Sequence, residues 1–191
     1  ESLKETGMSN QIKNYAKKGG TIFGICGGLQ MLGESLEDPL QKESINDINR
    51  CSCMGINLLP IKTTFGGIKH TSQREEIVTW PKEKKIKGFE MHYGESYLIN
   101  KKDSDIISLF KNISLGWVLE KTDKSFIGGT YIHGIFENDE WRRIWINKIR
   151  EKKGLNKLDF NEEHRNSNSR EKLLDLLTDT FEKNINIERL I

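Results

Sequence analysis

The stretch from Thr21 to Gly33 constrains this chain more than any other. Thr21-Ile22-Phe23-Gly24-Ile25 is a short β-branched and aromatic run of the kind that forms a buried strand. Gly27-Gly28 breaks it, and Leu29-Gln30-Met31-Leu32-Gly33 reads as the start of a helix. Upstream, Leu3, Met8, Ile12, Tyr15 and Ala16 recur at mostly helical spacing, and Lys17-Lys18-Gly19-Gly20 stops that helix. Helix, strand, tight turn, helix is the rhythm of an α/β sheet. Such units usually open on a strand and none precedes the first helix, so the expectation is a fold whose first strands are missing.

The turn carries a cysteine. Cys26 sits between an apolar strand and a helix with Gly24, Gly27 and Gly28 around it, the cysteine form of a nucleophile elbow. The strained turn calls for small residues at Gly24 and Gly28, so that strand and helix can pass closely. The thiol would lie at a helix N-terminus, which favours negative charge, and the Gly27 N–H could donate to an oxyanion. The competing reading is a buried structural cysteine in a glycine-rich turn. The sequence context favours the nucleophile.

A cysteine nucleophile needs a base, and the chain has 4 histidines. His133 ends the run Gly129-Thr130-Tyr131-Ile132-His133, the kind of strand terminus where open α/β sheets build their sites. His92, in Gly88-Phe89-Glu90-Met91-His92-Tyr93-Gly94, is the second candidate. His70 and His164 lie in polar segments and read as exposed.

Composition narrows the function classes. The 191 residues suit one domain with an appendage, and 35% hydrophobic residues suffice for a core. A net charge of +2 argues against a dedicated nucleic-acid or anionic-membrane surface. No apolar run is long enough to span a bilayer, and the N-terminal residues do not read as a secretory signal. Three cysteines do not suggest a disulfide framework, so a cytoplasmic setting is expected.

From Cys51 the texture becomes strand-rich: Gly55 to Ile61, Glu76 to Trp80, Ser96 to Ile99, Ile113 to Leu119 and Ser125 to Ile132, punctuated by Gly66-Gly67, Pro81 and Gly88. Asn138 or Asp139 would cap a helix with Trp141, Ile144, Trp145 and Ile149 on one core-facing stripe, closed by Gly154. The expected organisation is a partial domain over 1–152, a polar linker over 153–168 and a helical extension over 169–191, whose apolar face is Leu173, Leu174, Leu176, Leu177 and Phe181. Cys51-Ser52-Cys53 is weak as a metal site and reads better as small residues entering a strand. Lys82 to Lys87 reads as a solvated turn, and Arg142 and Arg143 as a solvated helix face. Glu90 and His92 could face the cleft or a partner domain.

Four segments, in order, carry a family resemblance. Gly24-Ile25-Cys26-Gly27-Gly28-Leu29-Gln30-Met31-Leu32-Gly33 resembles the nucleophile segment of class I, triad-type glutamine amidotransferases. Gly55 to Pro60, Gly88 to Gly94 and Gly129 to Asp139 resemble further segments of the cobyric acid synthase branch of that class. The resemblance implies a flavodoxin-like α/β sheet flanked by helices. It makes Cys26 the nucleophile and His133 the base, with Gly27 at the oxyanion and Gln30 and Gly28 at the substrate glutamine. It implies no cofactor on this chain. Ammonia would pass to an ATP- and Mg-dependent synthetase domain, normally on the same polypeptide, that amidates a corrinoid acceptor. Two departures stand out. The glutamate that many class I members carry two residues after the histidine is Ile135 here, leaving Glu137 a candidate by proximity only. The Pro-Gly-Ser-type loop and the phosphate-binding loop of the family do not occur in these residues. The amidotransferase of a related enzyme (a cobyrinate a,c-diamide synthase or a cell-wall amidating ligase), and a non-catalytic docking module, remain as alternatives.

Overall fold

The computed structural model describes residues 2–41, 51–99, 105–123, 125–159 and 166–184. Helices α1 (Ser2–Glu5) and α2 (Met8–Lys17) are separated at Gly7, whose φ of 73° no helix interior allows. Strand β1 (Ile22–Ile25) then leads through Cys26 into α3 (Gly27–Leu32). The short strands β2 (Ser35–Glu37) and β3 (Ser52–Met54) precede a long hairpin of β4 (Ile61–Val78) and β5 (Lys84–Leu98). Strands β6 (Ile106–Ser108), β7 (Gly116–Glu120), β8 (Phe126–Thr130) and β9 (Ile132–His133) follow, then a 3-10 turn at Ile135–Glu137, α4 (Asp139–Lys152) and α5 (Asn166–Asn184).

The architecture is α/β, with mixed sheets flanked by helices. One sheet has four strands in the order β1-β8-β7-β6, the other five in the order β3-β2-β4-β5-β9. Among the described residues only β1/β8 and β2/β4 pair in parallel, and every other strand pairing is antiparallel. The four-stranded sheet is covered on both faces. Alternate residues of β7 and β8 feed two cores: Val118 and Phe126 pack with Trp80, Ile135 and Trp141, while Trp117 and Ile127 pack with Ala16, Leu29 and Tyr131. All five residues of β8 are buried, as a continuous apolar strand demands.

Several expectations are corrected. Gly55 to Pro60 is not strand: it passes over α3, with the Ile56 and Asn57 N–H groups bonded to Met31 O and Gly33 O, and the strand begins only at Ile61. Gly66-Gly67 and Gly88 do not end strands. The first pair lies at a register shift within β4, and Gly88 pairs with Arg74 inside the hairpin. Lys84 to Lys87 therefore belongs to β5, and the turn is confined to the residues before it, around Trp80-Pro81. Cys51 and Cys53 are free and exposed beside or within β3. Among the described residues no group of three or more His, Cys, Asp or Glu could hold a metal ion.

Asn138 occupies the N-cap of α4, but its side chain does not cap. Its amide instead grips the Lys87 backbone, accepting from Lys87 N and donating to Lys87 O at 2.8 Å each. Pairing of β5 with β9 covers only Phe89 and Glu90, so the asparagine supplies the next rung of the ladder. Trp141 is fully buried, and Trp145 packs against the same core, as its stripe predicts. Lys153 to Asp159 is exposed without regular structure, and α5 begins at Asn166 rather than at 169. Its Leu173, Leu174, Leu176, Leu177 and Phe181 are all exposed. Among the described residues no helix is long and apolar enough to cross a membrane.

Candidate active site

Strand β1 runs parallel to β8, with Ile25 opposite Thr130, and the next residue on each strand reaches the site. Cys26 N donates to Thr130 O at 2.8 Å, which fixes the elbow to the end of β8. At Cys26 φ is 53° and ψ is −115°, a strained conformation for a residue with a side chain. Such strain is stored where the surroundings over-determine the backbone, and here they do. Cys26 O accepts from Gln30 N at 3.2 Å to start α3, while its N–H is held by the neighbouring strand.

The two glycines around the elbow turn out to differ. A Cβ on Gly24 would lie 2.5 Å from Gly28 C, so strand and helix touch backbone to backbone there. A Cβ on Gly28 would meet nothing within 4 Å. The expected need for a small residue holds at Gly24 and fails at Gly28, because the Cα–H of Gly28 points away from the contact. The Gly27 N–H opens α3 beside the thiol, where the sequence placed an oxyanion donor.

The chain leaves the first sheet after Thr130 and joins the second two residues later. His133 on β9 pairs with Phe89 on β5, and their rings stack at 4.9 Å with a 9° tilt. Its Nε2 is buried and has no hydrogen-bond partner among the described residues. The Cys26 thiol donates to Met91 O, also on β5, at 3.6 Å. The Glu137 carboxylate lies against Gly134, within 4 Å of where a Cβ there would sit, and so next to His133 in the chain.

The other histidines separate cleanly. His92 is buried, with Nε2 2.9 Å from Glu90 Oε1 and Nδ1 2.9 Å from Gly94 O, so both nitrogens are committed. Glu90 and His92 point the same way from β5 and hence away from Phe89 and His133. Burial pushes the Glu90 carboxyl upward, but the Arg74 guanidinium and His92 outweigh it and hold it below the usual carboxylate range. His70 is half-buried and stacks on His92 at 5.2 Å rather than facing solvent. His164 lies outside the described residues.

Gln30 is buried, and its Nε2 donates to Tyr93 O at 2.9 Å and to Tyr131 OH at 3.2 Å. Tyr131, Met91 and Phe89 were not singled out by sequence reasoning. Their positions beside the site depend on the register of β5 against β9, which no local pattern encodes.

Comparison with known proteins decides the family. The model of the CobB/CobQ-like glutamine amidotransferase domain matches residues 1–141. The chain belongs to this family. Among curated relatives, "Cobyric acid synthase" of Prochlorococcus marinus strain NATL2A is 77% identical over 191 residues, and that of strain NATL1A is 74% identical. The enzyme of the same name from Synechococcus sp. strain CC9605 is 41% identical over 191 residues. Each match covers the whole of this chain but only 37–38% of the relative's length. The chain presents Cys26 at the elbow after β1 and His133 on β9, which pairs with β5.

Proposed function

We propose that this chain is the glutamine-hydrolysing domain of a cobyric acid synthase, with Cys26 as nucleophile and His133 as base. Two observations support the reading: a strained, elbow-borne cysteine whose thiol meets Met91 O on β5, and a histidine stacked on Phe89 of the same strand whose buried Nε2 has no partner among the described residues. His92 is unsuited to the role because both its nitrogens are already bonded.

The thiol leaves the Met91 carbonyl and gives its proton to His133 Nε2. The sulfur attacks the side-chain carbonyl carbon of glutamine, and the Gly27 N–H takes the tetrahedral oxyanion. Loss of one such donor costs roughly 3 kcal/mol in comparable sites. The imidazolium returns the proton to the departing nitrogen, the C–N bond breaks, and ammonia leaves a γ-glutamyl thioester. His133 then activates a water that attacks the thioester, releasing glutamate and restoring the thiol. By the family resemblance, Gln30 and Gly28 are assigned to the substrate glutamine. Glu137, beside Gly134, is the nearest acid to His133 in the chain.

By similarity to the relatives, the ammonia serves amidation of a corrinoid carboxylate driven by ATP with Mg. No Gly-Lys-Ser or Gly-Lys-Thr occurs in this sequence, so that step belongs to residues other than these. A cytoplasmic location goes with such a pathway. In the full-length polypeptide, Cys26→Ser abolishes glutamine-dependent amidation and leaves ammonia-dependent amidation in place. Retention of glutamine-dependent activity by Cys26→Ser would overturn the assignment, as would loss of both activities in a folded protein.

A further inference from the structure

Gln30 makes both of its side-chain hydrogen bonds through Nε2. Tyr93 O can only accept, so the amide nitrogen must face it, and Oε1 is turned the other way. The orientation of this amide is thus set by chemistry. Tyr131 OH accepts the second Gln30 N–H and shares a further hydrogen bond with Ser96 Oγ at 2.6 Å, in which either hydroxyl can donate. Ser96 in turn meets Thr63 Oγ1 at 2.7 Å.

The phenol is held as firmly by its ring as by its hydroxyl. The Tyr131 ring stacks on the His92 ring at 3.7 Å with a 21° tilt. The His92 ring is itself held, with its nitrogens 2.9 Å from Glu90 Oε1 and 2.9 Å from Gly94 O. Glu90 is fixed in its turn by Arg74, through Nε at 2.7 Å and Nη2 at 2.5 Å. Burial pushes the Tyr131 phenol above its ordinary value, and the nearby Cys26 thiol adds to the same effect, so the hydroxyl keeps its proton. A relay of buried side chains, Glu90 to His92 to Tyr131, therefore backs one glutamine amide four residues after Cys26, and Tyr131 is the member that touches it.

Resting on the glutaminase reading above, we propose that Tyr131 is a positioning residue for substrate recognition: it locks the Gln30 amide so that Oε1 is presented as a fixed acceptor to the ammonium group of the incoming glutamine. An unlocked amide could turn and offer a donor to the same cation. The cost would fall on binding and not on bond breaking.

The test is steady-state glutaminase kinetics of Tyr131→Phe in the full-length polypeptide, with labelling of Cys26 by the diazo-ketone analogue of glutamine and by iodoacetamide. Removing one neutral hydrogen bond raises KM for glutamine about fivefold and leaves kcat within about twofold. The analogue labels more slowly by a similar factor, and iodoacetamide labels at the wild-type rate. Ser96→Ala, which removes the hydroxyl partner of Tyr131 OH, gives a smaller rise in KM of about twofold and serves if Tyr131→Phe does not fold. A fall in kcat with KM unchanged, and equal slowing by both reagents, would mean a merely structural tyrosine and overturn the proposal. Wild-type KM in both variants would overturn it too. A wild-type protein that neither hydrolyses glutamine nor takes the analogue would bring down the glutaminase reading and this one with it.

Discussion

Replacing Gly24 by alanine tests the elbow more sharply than any change at the cysteine itself. The added Cβ would stand 2.5 Å from Gly28 C, 2.6 Å from Gly28 O and 2.6 Å from Leu29 N. All three are backbone atoms of α3, so no side chain can rotate aside. Ordinary contact begins near 3.4 Å, and α3 must retreat from β1 by about 0.9 Å. Overpacking of this kind costs about 1–3 kcal/mol. In a chain of this size each kilocalorie lowers the thermal midpoint by about 2–4 °C. The effect on rate is larger, because α3 carries Gly27 and Gln30 while Cys26 stays tied to Thr130 O. A displacement near 1 Å in a reacting site costs about a hundredfold. Gly24→Ala therefore lowers the midpoint by several degrees and glutaminase activity by about two orders of magnitude. Gly28→Ala is the control. Its Cβ enters open space, so the midpoint stays the same or rises slightly, as alanine is the better helix former. Thermal denaturation and a glutamate-release assay on both variants decide the matter. Wild-type midpoint and rate in Gly24→Ala would refute the close crossing of β1 and α3, and equal damage from both changes would refute the assignment of the contact to Gly24.

Two further outcomes follow from the hairpin. Glu90 is held below its ordinary range by Arg74 and His92, so its contribution to stability is complete above the unfolded carboxylate value, near 4.3, and is lost as pH falls through the lower folded value. Arg74→Ala removes its main partner and costs about 1–3 kcal/mol near neutrality, with a difference from wild type that shrinks in strong acid; pH-dependent denaturant melts that run parallel would contradict this. Gly88→Ala would drive a Cβ to 2.4 Å from His133 O, shifting β9 without touching Cys26, so glutaminase activity falls while iodoacetamide labelling of Cys26 persists.

What the sequence revealed and what it hid have separate physical causes. The elbow was legible because each of its parts is local: an apolar strand, a turn that needs glycine, and a helix, all within thirteen residues. His133 was a candidate from its place at the end of a buried strand; its Nε2 has no partner among the described residues, whereas both ring nitrogens of His92 are bonded. The β4–β5 hairpin was not. Lys69 to Glu76 is an almost wholly polar run, and it forms strand through cross-strand pairs such as Arg74 with Glu90 and Glu75 with Lys85 and Lys87. Hydrophobic alternation has nothing to report there, and Gly66-Gly67 and Gly88 look like breaks in it. The Tyr131–His92 stack was invisible for the same reason, since it joins residues 39 apart through register alone.

The geometry of the site follows from one crossing between the sheets. Cys26 hangs from the four-stranded sheet through Thr130 O, whereas His133 and Met91 belong to the five-stranded sheet. The proposed nucleophile and base are therefore held by different ladders, and their separation depends on how those ladders are joined. The join is short. Thr130 ends β8, Ile132 begins β9, and Tyr131 alone lies between them, with its backbone N–H bonded to Leu115 O. Thr130 braces the bend, its hydroxyl donating to Leu115 O and accepting from Ile132 N at 2.9 Å each. From this hinge the Tyr131 side chain reaches Gln30 on α3 and Ser96 on β5, one residue from each side of the crossing. A group so placed can hold the cysteine-bearing helix and the histidine-bearing sheet in one relation while touching neither reacting atom. That is why the buried polar residues cluster at this point of an otherwise apolar core: hydrophobic packing brings the sheets together, and directional bonds set the angle at which they meet.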